Sequence, residues 1–92
     1  MAEAASASYL KGLRVLAVDD EVNVLDTIED VLDEAQVDRA LDYDTASQKL
    51  QDTPYDLAIL DIMGVNGLAL LTEAVDKGIP TVMLTAAIPG GP

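Results

Sequence analysis

Three short runs of this chain, residues 13–18, 57–60 and 80–84, are apolar apart from Arg14 and Thr81, with no two-residue alternation of polar and apolar positions. A strand reads this way when both of its faces are buried, as in the middle of a parallel sheet. Between the runs the period changes. Leu25, Ile28, Val31, Leu32 and Ala35 recur at helical spacing, opposite Asp26, Glu29, Asp30, Asp33 and Glu34. This predicts an amphipathic helix over about 22–35. Val37, Arg39, Leu41 and Tyr43 alternate, as in a half-exposed edge strand. Asp44 or Thr45 is placed to cap a short helix running to about 51, with Ala46 and Leu50 inward and Thr53-Pro54 closing it. Leu68, Leu71, Ala74 and Val75 mark a third helix that Gly78 ends. Pro80 opens the last run, where a missing N–H is tolerated.

Strand and helix alternate throughout. Right-handed crossovers turn that order into an α/β fold, a three-layer open parallel sheet with helices on both faces. The chain has 92 residues, enough for one domain. It has no Trp or Phe, so its core is built from Leu, Val, Ile and Ala. Residues 1–10 read as a flexible leader of small residues, without the basic and apolar segments of a signal peptide. Residues 88–92 read as a Gly/Pro tail. No apolar run has the length to span a bilayer, and a cytoplasmic location is the plain expectation.

Lys and Arg total 5 against 17 Asp and Glu, a formal charge of −12. That field disfavours nucleic acid and anionic membranes and concentrates divalent cations. With no Cys and no His, thiolate chemistry, imidazole bases and the usual zinc sites are excluded. No glycine-rich nucleotide loop is present; Gly64 and Gly67 bracket a tight turn.

Carboxylates stand where the apolar runs end. Asp19 and Asp20 follow the first and Asp61 follows the second. In open parallel sheets, ligands bind beyond the carboxyl ends of the strands. Crowded carboxylates repel unless a cation neutralises them. A hard cation such as Mg²⁺, with Mn²⁺ as a substitute, wants such oxygens. Asp20 and Asp61 are expected as direct ligands, Asp19 through water, and the backbone carbonyl of Met63 from the loop after Asp61. Beside a bound metal, Asp61 can accept a phosphoryl group. Thr85, at the end of the next run, offers a hydroxyl to that group, and Ala86 a backbone N–H. The aspartate pair is also expected to cap the first helix.

These residues resemble the receiver domain of two-component response regulators, the CheY-like family. The matching pieces are Val15-Leu16-Ala17-Val18-Asp19-Asp20-Glu21, Leu57-Ala58-Ile59-Leu60-Asp61-Ile62-Met63, Gly67 to Leu71, and Pro80-Thr81-Val82-Met83-Leu84-Thr85-Ala86. The resemblance covers about residues 11–87. It implies a flavodoxin-like sheet of order 2-1-3-4, incomplete because the fifth strand is missing. It implies Mg²⁺ held with the help of Asp19 and Asp20, phosphorylation of Asp61, and a hydrogen bond from Thr85. A sensor histidine kinase or phosphotransfer protein would donate the phosphoryl group. The chain would be a phosphoacceptor signalling domain and not an enzyme in the usual sense.

Two features depart from the family. The segment from Asp61 to Gly67 is shorter and has no proline, and no lysine follows Lys77. The expectation is a receiver truncated after its fourth strand, with impaired phosphorylation. Its strand 81–84 would be left as an edge suited to a homodimer or higher homo-oligomer. Two other readings stay open: a non-catalytic module that assembles through its sheet, and a small Mg²⁺-dependent phosphohydrolase.

Overall fold

The most apolar strand lies inside the sheet, where both of its edges are hydrogen-bonded. β1 (Arg14–Val18) pairs in parallel with β2 (Gln36–Ala40) on one side and with β3 (Leu57–Asp61) on the other. β4 (Thr81–Leu84) adds to β3, so the sheet has the order β2-β1-β3-β4, parallel throughout. This computed structural model describes residues 11–61 and 66–84. The helices α1 (Val22–Val31), α2 (Tyr43–Asp52) and α3 (Gly67–Asp76) alternate with the strands. The expected order 2-1-3-4 and the edge position of β2 are both observed. The leader 1–10 and the tail 88–92 lie outside the described residues.

The two-residue strand period sorts side chains into two layers. Leu16, Val18, Ala58 and Leu60 form one core with Ala46 and Leu50 of α2 and with Leu70 and Ala74 of α3. Tyr55 and Ile79 close its lower end. Val15 and Ala17 point to the other side of β1 and are equally buried, as is Leu25 of α1, the helix packed on β1. The outward step from β1 to β2 and the return steps to β3 and β4 therefore use helices on opposite faces. That is what one crossover hand requires.

Polar contacts tie the layers at defined points. Arg39 in β2 donates to Asp26 (2.8 Å) and Glu29 (2.9 Å) of α1. These groups are largely exposed, so the bonds orient α1 more than they stabilise it. Below the sheet, Asp38 accepts from Arg14 (3.2 Å) and from the Tyr55 hydroxyl (2.7 Å). Burial, and then the bond to Asp38, pushes the Tyr55 phenol up to about 12.

Local chemistry moves several boundaries from those expected. α1 stops at Val31 and not near 35, and Val31 is 68% exposed. Asp30, Asp33 and Glu34 crowd the negative end of the helix dipole, and no basic residue in the last turn offsets them. The N–H of Leu32 closes on Ile28 (2.9 Å), and a turn then feeds β2. α2 is capped by Asp42, not Asp44 or Thr45; the Asp42 carboxylate accepts from the Thr45 N–H (2.8 Å). Tyr43 opens that helix and does not extend β2. Gly78, just past the last residue of α3, turns the chain out of the helix as expected, with φ at 75°. Its buried residues, however, are Gly67, Leu70 and Ala74, while Leu68 and Val75 are exposed. Six of the eight positions from 68 to 75 are apolar, so the pattern allowed more than one phase.

The observed phase of α3 makes two leucines of one helix unequal. Leu70→Ala, at 0% exposure, should cost about 2–5 kcal/mol by loss of burial plus cavity. Leu68→Ala, at 62% exposure, should stay within about 0.5 kcal/mol. Urea unfolding midpoints of the two variants measure the difference, and equal losses would contradict this helix phase.

Candidate metal centre

Register brings the two buried aspartates together. β1 and β3 pair Val15 with Leu57 and continue to Val18 with Leu60, so the next positions along the two strands are Asp19 and Asp61. Asp61 is the last residue of β3 and pairs across to Leu84 of β4. Asp19 lies just past β1, and its N–H still reaches the Ala40 carbonyl of β2 at 3.1 Å, which extends the ladder by one rung. Strand order reverses between β1 and β3, and such a reversal opens a crevice beyond the carboxyl ends. Asp20, exposed, stands at the rim.

Carboxylate oxygens of Asp19, Asp20 and Asp61 lie within 4.8 Å of one another. Asp19 is 6% exposed and Asp61 8%. Burial pushes the Asp19 carboxyl above its usual range; the Glu21 N–H, donating at 2.9 Å, partly opposes this; the charges of Asp61, Asp20 and Glu21 raise it further. Among the described residues, the charges that shift Asp19 are those of neighbouring carboxylates. Two carboxylates about 5 Å apart repel by about 3 kcal/mol at a protein-like dielectric of about 20. The two arginines are engaged elsewhere, Arg14 with Asp38 and Arg39 with Asp26 and Glu29.

All three sequence-selected aspartates are thus brought into one cluster. Met63, Thr85 and Ala86 lie outside the described residues. One expected role is corrected: the aspartate pair does not cap α1. Glu21 is the N-cap residue and makes no side-chain cap bond, while Asp19 turns back onto the Glu21 N–H. That turn aims the Asp19 carboxylate and was not foreseen. Its signal was present, since an aspartate commonly accepts from the backbone N–H two residues ahead of it. The donor set, all carboxylate oxygen, fits a hard divalent cation. Asp20 at the open side leaves room for the waters that Mg²⁺ retains.

Without a cation, the buried Asp19 charge opposes folding. Its folded pKa lies above the unfolded one, so folding takes up protons, and this contribution to stability falls as pH rises from about 4 through the folded value. Asp19→Asn keeps an acceptor for the Glu21 N–H and removes the charge. It should raise Tm at pH 7 in chelator and change it little near pH 3, where Asp19 is already protonated. Thermal melts at the two pH values check this; equal shifts would show that charge is not the cause.

No protein-family model matches the sequence, and no curated protein matches it. Solved structures do. A receiver domain of a Francisella response regulator aligns with TM-score 0.73 and 24% identity, over 85% of this chain and 69% of that one. A CheY-like response regulator receiver domain protein from Methanospirillum hungatei JF-1 aligns with TM-score 0.75 and 24% identity, over 86% and 68%. A fusion carrying a yeast Spc42 trimeric coiled-coil segment aligns with TM-score 0.75 and 27% identity, over 85% of this chain and 57% of its own. The chain thus spans between 57% and 69% of the length of these structures. Four parallel strands in the order 2-1-3-4, with helices on both faces, give this chain the fold of the CheY-like response regulator receiver domains.

Proposed function

We propose that this chain is a phosphoacceptor receiver of a two-component phosphorelay, phosphorylated on Asp61 with Mg²⁺ held by Asp19, Asp20 and Asp61. The observation that carries the reading is the trio of carboxylates within 4.8 Å where strand order reverses. The likeness in fold to receiver domains supports a signalling role. A carboxylate oxygen of Asp61 attacks the phosphorus of a phosphohistidine on a sensor kinase or phosphotransfer protein. The new P–O bond forms as the P–N bond breaks, and the imidazole leaves. A bound cation would offset the negative charge that gathers on the transferring group. β3 holds Asp61 at its end by backbone bonds, so the nucleophile is positioned by the sheet. Asp19 is aimed by the Glu21 N–H, and Asp20 faces the open side. The Met63 carbonyl would complete the cation's ligands, and the Thr85 hydroxyl and Ala86 N–H would bind phosphoryl oxygens. A cytoplasmic location goes with this reading.

One observation favours a second reading, a module that assembles through its sheet as a homodimer. β4 is the outer strand among those described, and Val82 on it is 46% exposed. Thr81, Val82, Met83 and Leu84 carry no charge to discourage strand pairing. Light scattering over a concentration series at two salt levels tests this. A dimer should strengthen as salt screens the net charge. A mass that stays monomeric, or a dimer unaffected by Val82→Lys, removes the reading.

Incubation with acetyl phosphate and Mg²⁺ should add one phosphoryl group by intact mass, mapping to Asp61 and absent in Asp61→Asn. Hydrolysis of the donor without an adduct would point to a phosphohydrolase instead. Mg²⁺ at about 100 times its Kd should stabilise the fold by about 2.7 kcal/mol. Asp20→Ala should lose most of that gain in a thermal melt. An unchanged metal response in Asp20→Ala would remove the cation assignment.

A further inference from the structure

α3 buries the less apolar of its two candidate faces. Gly67, Leu70 and Ala74 point inward, while Leu68 and Val75 are 62% and 59% exposed. At 100° per residue these two faces lie about a third of a turn apart, with the half-buried Leu71 between them. Rotating α3 by that third of a turn would bury Leu68, Leu71 and Val75, a larger aliphatic surface. Apolar burial is non-directional and does not by itself select the observed phase.

A directional contact is also present. Glu73 projects from the flank of α3 toward α2, where two hydroxyls one turn apart meet its two oxygens. Tyr43 donates to Oε2 and Ser47 donates to Oε1 at 2.8 Å. Among the described residues, these are the side-chain hydrogen bonds that join α3 to another element. The bond to Glu73 also raises the Tyr43 phenol above its usual range. A third of a turn that buried Leu68 and Val75 would swing Glu73 to the far side of the helix and break both bonds.

We propose that Glu73 is a positioning residue: a two-point latch that selects the rotational phase of α3.

The chain has no cysteine, so single introduced thiols report the phase cleanly. Leu68→Cys should react quickly with a thiol reagent and Ala74→Cys slowly. Adding Glu73→Ala should slow the first and speed the second, each by about tenfold, as expected for loss of hydrogen bonds to a charged group. Tyr43→Phe combined with Ser47→Ala should give the same pattern, which guards against a variant that fails for other reasons. Unchanged reactivity at both sites in a folded protein would overturn the latch. Faster reaction at both would overturn it too, since α3 would then be unfolding and not turning.

Discussion

The parallel ladder between β1 and β3 is the constraint on which the candidate site depends. These strands are buried on both faces, and their register is set by backbone bonds from Val15–Leu57 to Val18–Leu60. One step further, the same register sets Asp19 beside Asp61. A change of register by one residue would reverse which side chains enter the core, so the apolar layers hold the aspartates in place. The hydrophobic core supplies the energy that brings two like charges together. The carboxylates of the cluster repel one another, and the core holds them together against that repulsion.

The distribution of positive charge strengthens this arrangement. Arg39 binds α1 to β2, and Arg14 is held with Asp38 and Tyr55 at the opposite end of the sheet. Both arginines stitch the scaffold and leave the carboxyl edge acidic. A field of net charge −12 then favours an external cation at the cluster. The same field opposes self-association, so an assembly through β4 would have to rely on uncharged residues. Fold and electrostatics therefore point to one end of the sheet, where strand order reverses.

α2 and α3 show how little of helix placement is settled by apolar content alone. Ala46 and Leu50 were legible as the inner face of α2 because the other positions are polar. α3 offers apolar side chains almost all round, and the face read from spacing included Leu68 and Val75, which face solvent. The Glu73 contacts with Tyr43 and Ser47 join residues 30 and 26 positions apart, so no local pattern contains them. The end of α1 was misjudged for a related reason: apolar spacing continued to Ala35, while three carboxylates at the helix end and the approach to β2 stopped the helix at Val31. Asp42 was overlooked as a cap because Asp44 and Thr45 are equally suitable by type, and only the path of the chain out of β2 distinguishes them.

The sequence by itself determined the alternation of strands and helices, the central place of β1, the edge place of β2, and the positions of Asp19, Asp20 and Asp61 at strand ends. Those follow from local periodicity and from where apolar runs stop, and local order survives folding. Only the tertiary structure decided that the three carboxylates come within 4.8 Å, that Asp19 turns onto the Glu21 N–H and leaves α1 without a side-chain cap, and which face α3 buries. Each of those depends on the meeting of groups set by strand register and helix phase. Register and phase are relations between elements, and they become definite only when the elements pack.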